Sequence, residues 1–200
     1  MFKKNKSVQF EGKQSDLIFL HPEKDFAKKT LVELPQGYHL ILMSTAGQIE
    51  LVKGVYQHEL AERVMYLYFV RDHIGVQKTT WGTRTRLHVK NAAGETYSLG
   101  GYGFIEWQLT NAMRFIERRW GNRYFVQIED MTKEILDYIP LALGEVISDI
   151  EAFDVSDPDH YKRSLKEKIF EKMKELLKDF GIEVHQFAIE NFNFQRSEEV

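Results

Sequence analysis

The stretch from Pro158 to Phe194 constrains this chain more than any other, because one charged amphipathic helix runs directly into one alternating strand. Ser156 or Asp157 can cap the helix, and Pro158 suits its first turn, where a missing N–H costs nothing. Tyr161, Leu165, Ile169, Met173, Leu176, Leu177 and Phe180 recur at three- and four-residue spacing and form one apolar stripe. Lys162, Lys166, Glu167, Glu171, Lys172, Lys174, Glu175 and Lys178 cover the other faces. Gly181 suits a left-handed stop after the last turn. Ile182, Val184, Phe187, Ile189, Phe192 and Phe194 then follow as a mostly alternating strand.

Upstream, β patterning dominates. Leu17–Leu20, Thr30–Leu34, Tyr38–Ser44, Gln48–Val52 and Val55–Leu60 read as short strands, separated by Pro22, Pro35-Gln36-Gly37, Ala46-Gly47 and Lys53-Gly54. Arg63–Arg71 is apolar on both faces, with Val64, Tyr66, Tyr68 and Val70 on one side and Met65, Leu67 and Phe69 on the other. That pattern predicts a central or sandwiched strand. Gly75–Trp81, Arg84–Lys90 and Glu95–Ile105 continue the β half, with Asn91-Ala92-Ala93-Gly94 as a hairpin turn. A helix is expected from about Gln108 to Trp120, with a stripe of Leu109, Ala112, Met113, Ile116 and Trp120 and a stop at Gly121. Tyr124-Phe125-Val126 is ambiguous. A longer helix spans roughly Ile128 to Asp149, and Pro140 inside it should kink it or split it in two. The chain reads as one α+β domain, strands first and helices later.

Composition narrows the function classes. The chain has 200 residues, 43% of them hydrophobic, which suits one domain with a sizeable core. A net charge of -3 argues against nucleic-acid binding by bulk electrostatics. The absence of cysteine excludes disulfides, thiol nucleophiles and iron–sulfur clusters. No run approaches the ~20 apolar residues needed to cross a bilayer, and no apolar h-region follows the basic start. The expected location is cytoplasmic, in solution or peripheral on the inner face of the cell membrane.

No catalytic, cofactor or metal site is assigned. His21, His39, His58, His73, His88, His160 and His185 lack the spacing of a helix metal site. Gly100-Gly101-Tyr102-Gly103 lacks the strand–turn–helix context of a dinucleotide fingerprint and reads instead as a bulge or close backbone approach. Asp149, Glu151, Asp154, Asp157 and Asp159 fit no calcium loop and read as helix-flanking acids. Ser44-Thr45 and Ser98 lack a nucleophile-elbow context. Arg114, Arg118, Arg119 and Arg123 with Trp120 and Tyr124 could stack bases, but read better as the wet face of a helix with Trp120 in the core.

Two surface segments remain. Phe2, Lys3, Lys4 and Lys6 have membrane-surface chemistry, each lysine near an anionic leaflet being worth about 1 kcal/mol. The contact would be weak and salt-sensitive unless many copies act together; the other reading is a frayed, solvated terminus. Phe2 stands where myristoylation needs a glycine, and no cysteine offers an acylation site. Lys162, Lys166, Glu167, Lys174 and Lys178 form a candidate assembly face on the charged helix, which is equally what a solvated helix looks like.

The order of these pieces resembles the SPFH domain of the stomatin/prohibitin/flotillin/HflK–HflC, or band 7, superfamily. The carriers are the charged helix followed by Gly181-Ile182-Glu183-Val184 and Phe187-Ala188-Ile189-Glu190. Within it, Val64–Phe69, Trp81-Gly82-Thr83, Gly101-Tyr102-Gly103-Phe104 and the early Gly54-Val55-Tyr56 turn resemble the bacterial "virion core protein"-like subgroup. The family's usual Asp-Pro before the first helix is missing, and Glu106-Trp107-Gln108 stands near its place.

The resemblance implies a curved, mainly antiparallel sheet, packed helices and a final strand after the long charged helix. Residues 1–15 would be a flexible basic arm, 16–195 the SPFH-like domain and 196–200 a tail. It implies a non-enzymatic oligomeric scaffold, homo-oligomeric, with a membrane surface, membrane proteins or proteases as partners. The alternative is a soluble assembly or partner-binding module without lipid contact.

Overall fold

The computed structural model describes residues 7–44, 46–47, 49–83, 86–91, 93–119, 125–149 and 157–196. In chain order the strands of the first part are β1 (Ser7–Val8), β2 (Ile18–Leu20), β3 (Leu31–Glu33), β4 (Tyr38–Ser44), β5 (Ile49–Val52), β6 (Gln57–Glu59) and β7 (Val64–Arg71). Then come β8 (Gln77–Gly82), β9 (Leu87–Lys90), β10 (Thr96–Leu109), α1 (Ala112–Arg119), β11 (Phe125–Val126), α2 (Ile128–Asp149), α3 (Pro158–Lys178) and β12 (Ile182–Arg196). The expected α+β class is what is found. The chain divides into two compact units, one of Met1–Ile74 with Ala112–Met131 and the other of Gly75–Asn111 with Thr132–Val200.

The first unit holds two sheets, β1-β3-β6 and β11-β2-β7-β4-β5. β7 lies inside the larger one, paired with β2 and β4. Its two apolar faces are both buried, through Leu67 and Phe69 on one side and Tyr68 and Val70 on the other. The core joins Val8, Val32, Leu34 and Leu60 to Phe19, Leu40, Leu42, Leu67 and Phe69. Phe10 completes it, with ring centroids 5.2 Å from Phe19, 4.9 Å from Tyr38 and 5.4 Å from Phe69. So part of the expected amino-terminal arm is fastened down. Ser7–Val8 pairs in parallel with Leu31–Val32, because Val8 and Phe10 gain more from burial than from solvent.

His39 is buried on β4, and its Nδ1 lies 2.9 Å from Asp72 Oδ1. Burial holds its pKa below the usual value, although the Asp72 carboxylate pulls the other way. The neutral ring donates Nδ1–H to Asp72, which keeps both groups bonded without a buried cation.

In the second unit, β10 is the axis. It pairs antiparallel with β12 on one side and with β8 and β9 on the other. The β9–β10 turn falls where the sequence places it: Asn91 N–H donates to Glu95 O and Gly94 N–H to Asn91 O, both at 3.0 Å. The α3 stripe is buried at Tyr161, Leu165, Ile169, Met173 and Leu177, and the helix packs on β12. Asp157 is the N-cap, accepting from His160 N–H at 3.0 Å, with Pro158 next to it. Gly181 takes a φ of 68° and would drive a Cβ into the Asn111 carbonyl.

Two further expectations change. β10 runs on to Leu109, where a helix was expected from Gln108, because Gln108 and Leu109 pair with Glu183 and Ile182. Thr110 and Asn111 N–H then donate to Gly181 O at 2.9 and 3.0 Å, and α1 starts only at Ala112. Pro140 does not split α2, which is continuous from Ile128 to Asp149. Buried Ile139, Ala142 and Leu143 flank the proline and hold the helix across the lost hydrogen bond.

One glycine of β10, Gly103, sits at a register shift. Pairing with β12 slips at Tyr102/Gly103 and Glu106/Trp107, leaving Glu190 and His185 as the extra residues. These are the places where the apolar spacing of β12 lengthens from two to three, Val184 to Phe187 and Ile189 to Phe192. Each bulge restores the apolar side chains to the buried face. A Cβ on Gly103 would overlap the Ala188 carbonyl oxygen outright, whereas one on Gly82 meets Tyr102 Cβ at 3.7 Å and Gly101 O at 3.8 Å, both ordinary contacts.

Gly103→Ala should therefore cost ~3 kcal/mol of unfolding free energy, while Gly82→Ala should stay within about 1 kcal/mol. Urea unfolding of the two variants side by side checks this; equal midpoints would contradict the packing described. For His39 the expected sign follows from its lowered pKa. Above ~6.5, the ordinary histidine value, folded and unfolded chains both hold the ring neutral. As pH falls below it, the unfolded chain binds a proton that the folded chain does not, so stability drops. His39→Asn, which keeps a donor for Asp72, should lose less stability between pH 7.5 and 5.5 than the native protein in urea titrations.

Candidate functional site

The charged face of α3 separates into committed and free groups. Lys172 Nζ lies 2.8 Å from Glu145 on α2 and 3.5 Å from Glu175, and the Glu145 hydrogen bond raises its pKa above the usual lysine value. Lys162 Nζ donates to the Glu190 carbonyl of β12 at 3.3 Å, at the bulge. Lys174 pairs with Glu171 one turn back, at 3.1 Å. Lys166, Glu167 and Lys178 are exposed, and their side chains make no ion pair or hydrogen bond to other described residues. Of the five residues singled out by sequence, Lys162 and Lys174 thus serve the unit itself. Lys166, Glu167 and Lys178 face solvent. Phe2, Lys3, Lys4 and Lys6 lie outside the described residues.

The Trp81-Gly82-Thr83 motif ends β8 and ties three strands together. Trp81 is buried, its ring stacked on Phe187 at 5.0 Å and 16°. Its Nε1–H donates to Ala188 O at 3.2 Å, across Gly103, which stands opposite both Trp81 and Ile189. A side chain at position 103 would fill that path. Thr83 N–H donates to Gly101 O at 2.9 Å, and Thr83 Oγ1 accepts from Gly101 N–H at 2.9 Å. Trp107 Nε1–H reaches Thr79 Oγ1 at 2.9 Å in the same buried layer.

Beside this motif a cavity of about 420 Å³ opens between β8 and α2. Thr80, Trp81, Gly82, Thr83 and Leu87 form its strand side, and Leu136, Asp137, Ile139, Pro140 and Leu143 its helix side. The sequence marked Trp81-Gly82-Thr83 by resemblance and Pro140 as a helix break. It did not join them, because nothing in the spacing says that α2 lies along β8.

The other sequence candidates stay apart. Arg114 and Arg118 are exposed on α1, while Trp120, Arg123 and Tyr124 lie outside the described residues. Asp157 caps α3 and Asp159 occupies its first turn, as helix-flanking acids do. Glu151 and Asp154 lie outside the described residues. No three His, Asp or Glu side chains converge among the described residues, and none of the helices described is long and apolar enough to cross a membrane.

A long charged helix delivering a strand onto a bulged antiparallel sheet defines the class of domain. The pattern of the SPFH domain-Band 7 family matches residues 61–200, more than half of the chain, and the chain belongs to that family. The match opens just before β7 and runs through β12. Membership indicates a scaffold type of role associated with membranes. No curated protein matches the chain.

Trp81→Phe keeps an aromatic ring for Phe187 but removes the donor to Ala188. It should lower stability by roughly 1–2 kcal/mol, with the near-ultraviolet circular dichroism of the remaining tryptophans retained. A variant as stable as the native chain in thermal unfolding would show that the Nε1 bond contributes nothing.

Proposed function

We propose that the protein is a non-enzymatic oligomeric scaffold of the SPFH type at the cytoplasmic membrane face, organising membrane patches or membrane-protein quality control. Family membership carries this reading. The exposed Lys166, Glu167 and Lys178 support it, because they leave charge of both signs available for a neighbouring copy. Side-by-side domains would match lysines of one α3 to acids of the next, an arrangement worth little per pair but additive around a ring. Phe2, Lys3, Lys4 and Lys6 are the proposed lipid contact, whose weak attraction multiplies with the number of copies. The likeness of Trp81-Gly82-Thr83 and Gly101–Phe104 to the bacterial subgroup agrees with a role in a bacterial cell.

Two measurements test the two halves separately. Sedimentation velocity of the full chain should show an assembly that the double variant Lys166→Glu/Lys178→Glu weakens by tenfold or so in apparent Kd. An unchanged assembly removes α3 from the interface. Flotation with anionic vesicles should fall from low to high salt, and should be lost on deleting residues Met1 to Lys6. Assembly without flotation at either salt would replace the membrane scaffold by a soluble assembly or partner-binding module.

A further inference from the structure

The cavity beside β8 has the geometry of a strand-addition groove. The phase of the β8–β10 ladder is set by Thr83, whose N–H donates to Gly101 O at 2.9 Å. The same register places Trp81 opposite Gly103 and Thr79 opposite Ile105. In an antiparallel pair, hydrogen-bonded and non-bonded partners alternate. Thr79, Trp81 and Thr83 therefore turn their backbone groups toward β10, and Lys78, Thr80 and Gly82 turn theirs the other way. β8 pairs with no second strand among the described residues. Thr80 and Gly82 thus present backbone donors and acceptors to the cavity that they line.

The opposite wall is apolar. Leu136, Ile139, Pro140 and Leu143 recur at helical spacing and share one face of α2. Pro140 has no N–H, so the Leu136 carbonyl lacks its helical donor on that same face. Asp137 stands exposed on the helix side, with no ion pair to a described residue. An open strand edge asks for another backbone, an apolar wall asks for an apolar side chain, and an unpaired carboxylate asks for a cation. A small apolar molecule would answer the second demand alone.

We propose that the groove between β8 and α2 binds an extended peptide segment of a partner protein. The segment adds as a further strand on the Lys78–Gly82 edge, puts an apolar side chain against Leu136, Ile139 and Leu143, and sets a lysine or arginine two residues away against Asp137. Strand side chains repeat every second residue on one face, so the apolar and basic positions share the side that faces α2. The site is separate from the α3 face and does not need assembly or lipid.

The test titrates the 15N-labelled full chain with three capped heptapeptides, Thr-Val-Thr-Leu-Thr-X-Thr, in which X is lysine, glutamine or glutamate. The expected result is saturable amide shifts centred on Thr80 and Gly82, with the lysine peptide about tenfold tighter than the glutamate peptide. Asp137→Lys should invert that order. Thr80→Pro removes only an outward donor, which an edge strand tolerates, and should weaken all three peptides about tenfold while β8–β10 contacts persist. Binding that ignores both substitutions, shifts that map away from β8, or no shifts with any of the three peptides overturns the proposal. So does protection of Thr80 and Gly82 by a second copy of the chain, read as loss of those signals with protein concentration alone.

Discussion

Everything in the second unit hangs on the pairing of β10 with β12, and that pairing survives only because it slips twice. From Leu109↔Ile182 outward to Tyr97↔Arg196 the strands stay together over their whole length, yet the register shifts at Glu106/Trp107 and again at Tyr102/Gly103. A strand of this length with strict alternation would twist its apolar side chains off the buried face. The bulge at His185 brings Phe187 and Ile189 onto the buried face after Val184, and the one at Glu190 returns the half-buried Phe192 to that side. The second bulge brings the Ala188 carbonyl against Gly103, where no side chain fits, and Trp81 uses the vacated path to bond that same carbonyl. Backbone irregularity, glycine and tryptophan are one device here.

The same bulge reaches the charged helix, since Lys162 bonds the Glu190 carbonyl that the irregularity turns outward. This is why a helix surface of alternating lysine and glutamate cannot be treated as uniform. Lys172 is drawn into Glu145 and Glu175, and Lys174 into Glu171, so their charges are already answered within the unit. Of the five candidate residues, Lys166, Glu167 and Lys178 have no side-chain ion pair or hydrogen bond with a described residue. Exposed ion pairs contribute little to folding, so this set is free to serve association without weakening the domain.

An unpaired strand edge beside an apolar helix face is a hazard unless something manages it. β8 is short and carries Lys78, whose ammonium sits 3.6 Å from the Phe104 ring centroid. Both features discourage indiscriminate pairing with other edges. The adjoining wall of α2 and the Asp137 carboxylate, which pairs with no described residue, restrict what can pair there, which is how an open edge becomes a selective one.

By itself the sequence determined the elements whose signal is local. The stripe from Tyr161 to Leu177, a cap at Ser156 or Asp157, the Pro158 start, the Gly181 stop, and the double-faced β7 are all written in spacing and turn chemistry. Even the bulges of β12 are visible as two places where the apolar interval becomes three. The proposed assembly and membrane residues were legible only as charge patterns, since charge says nothing about which lysine already has a partner. Only the tertiary structure decided that Gln108 and Leu109 extend β10 rather than open α1, because their pairing with Glu183 and Ile182 outweighs a helical stripe. It alone decided that α2 passes unbroken through Pro140, because buried neighbours on both sides hold the helix where local propensity would end it. And it alone brought Thr80 and Gly82 opposite Leu136 and Leu143, a juxtaposition of segments far apart in the chain that no local pattern can encode.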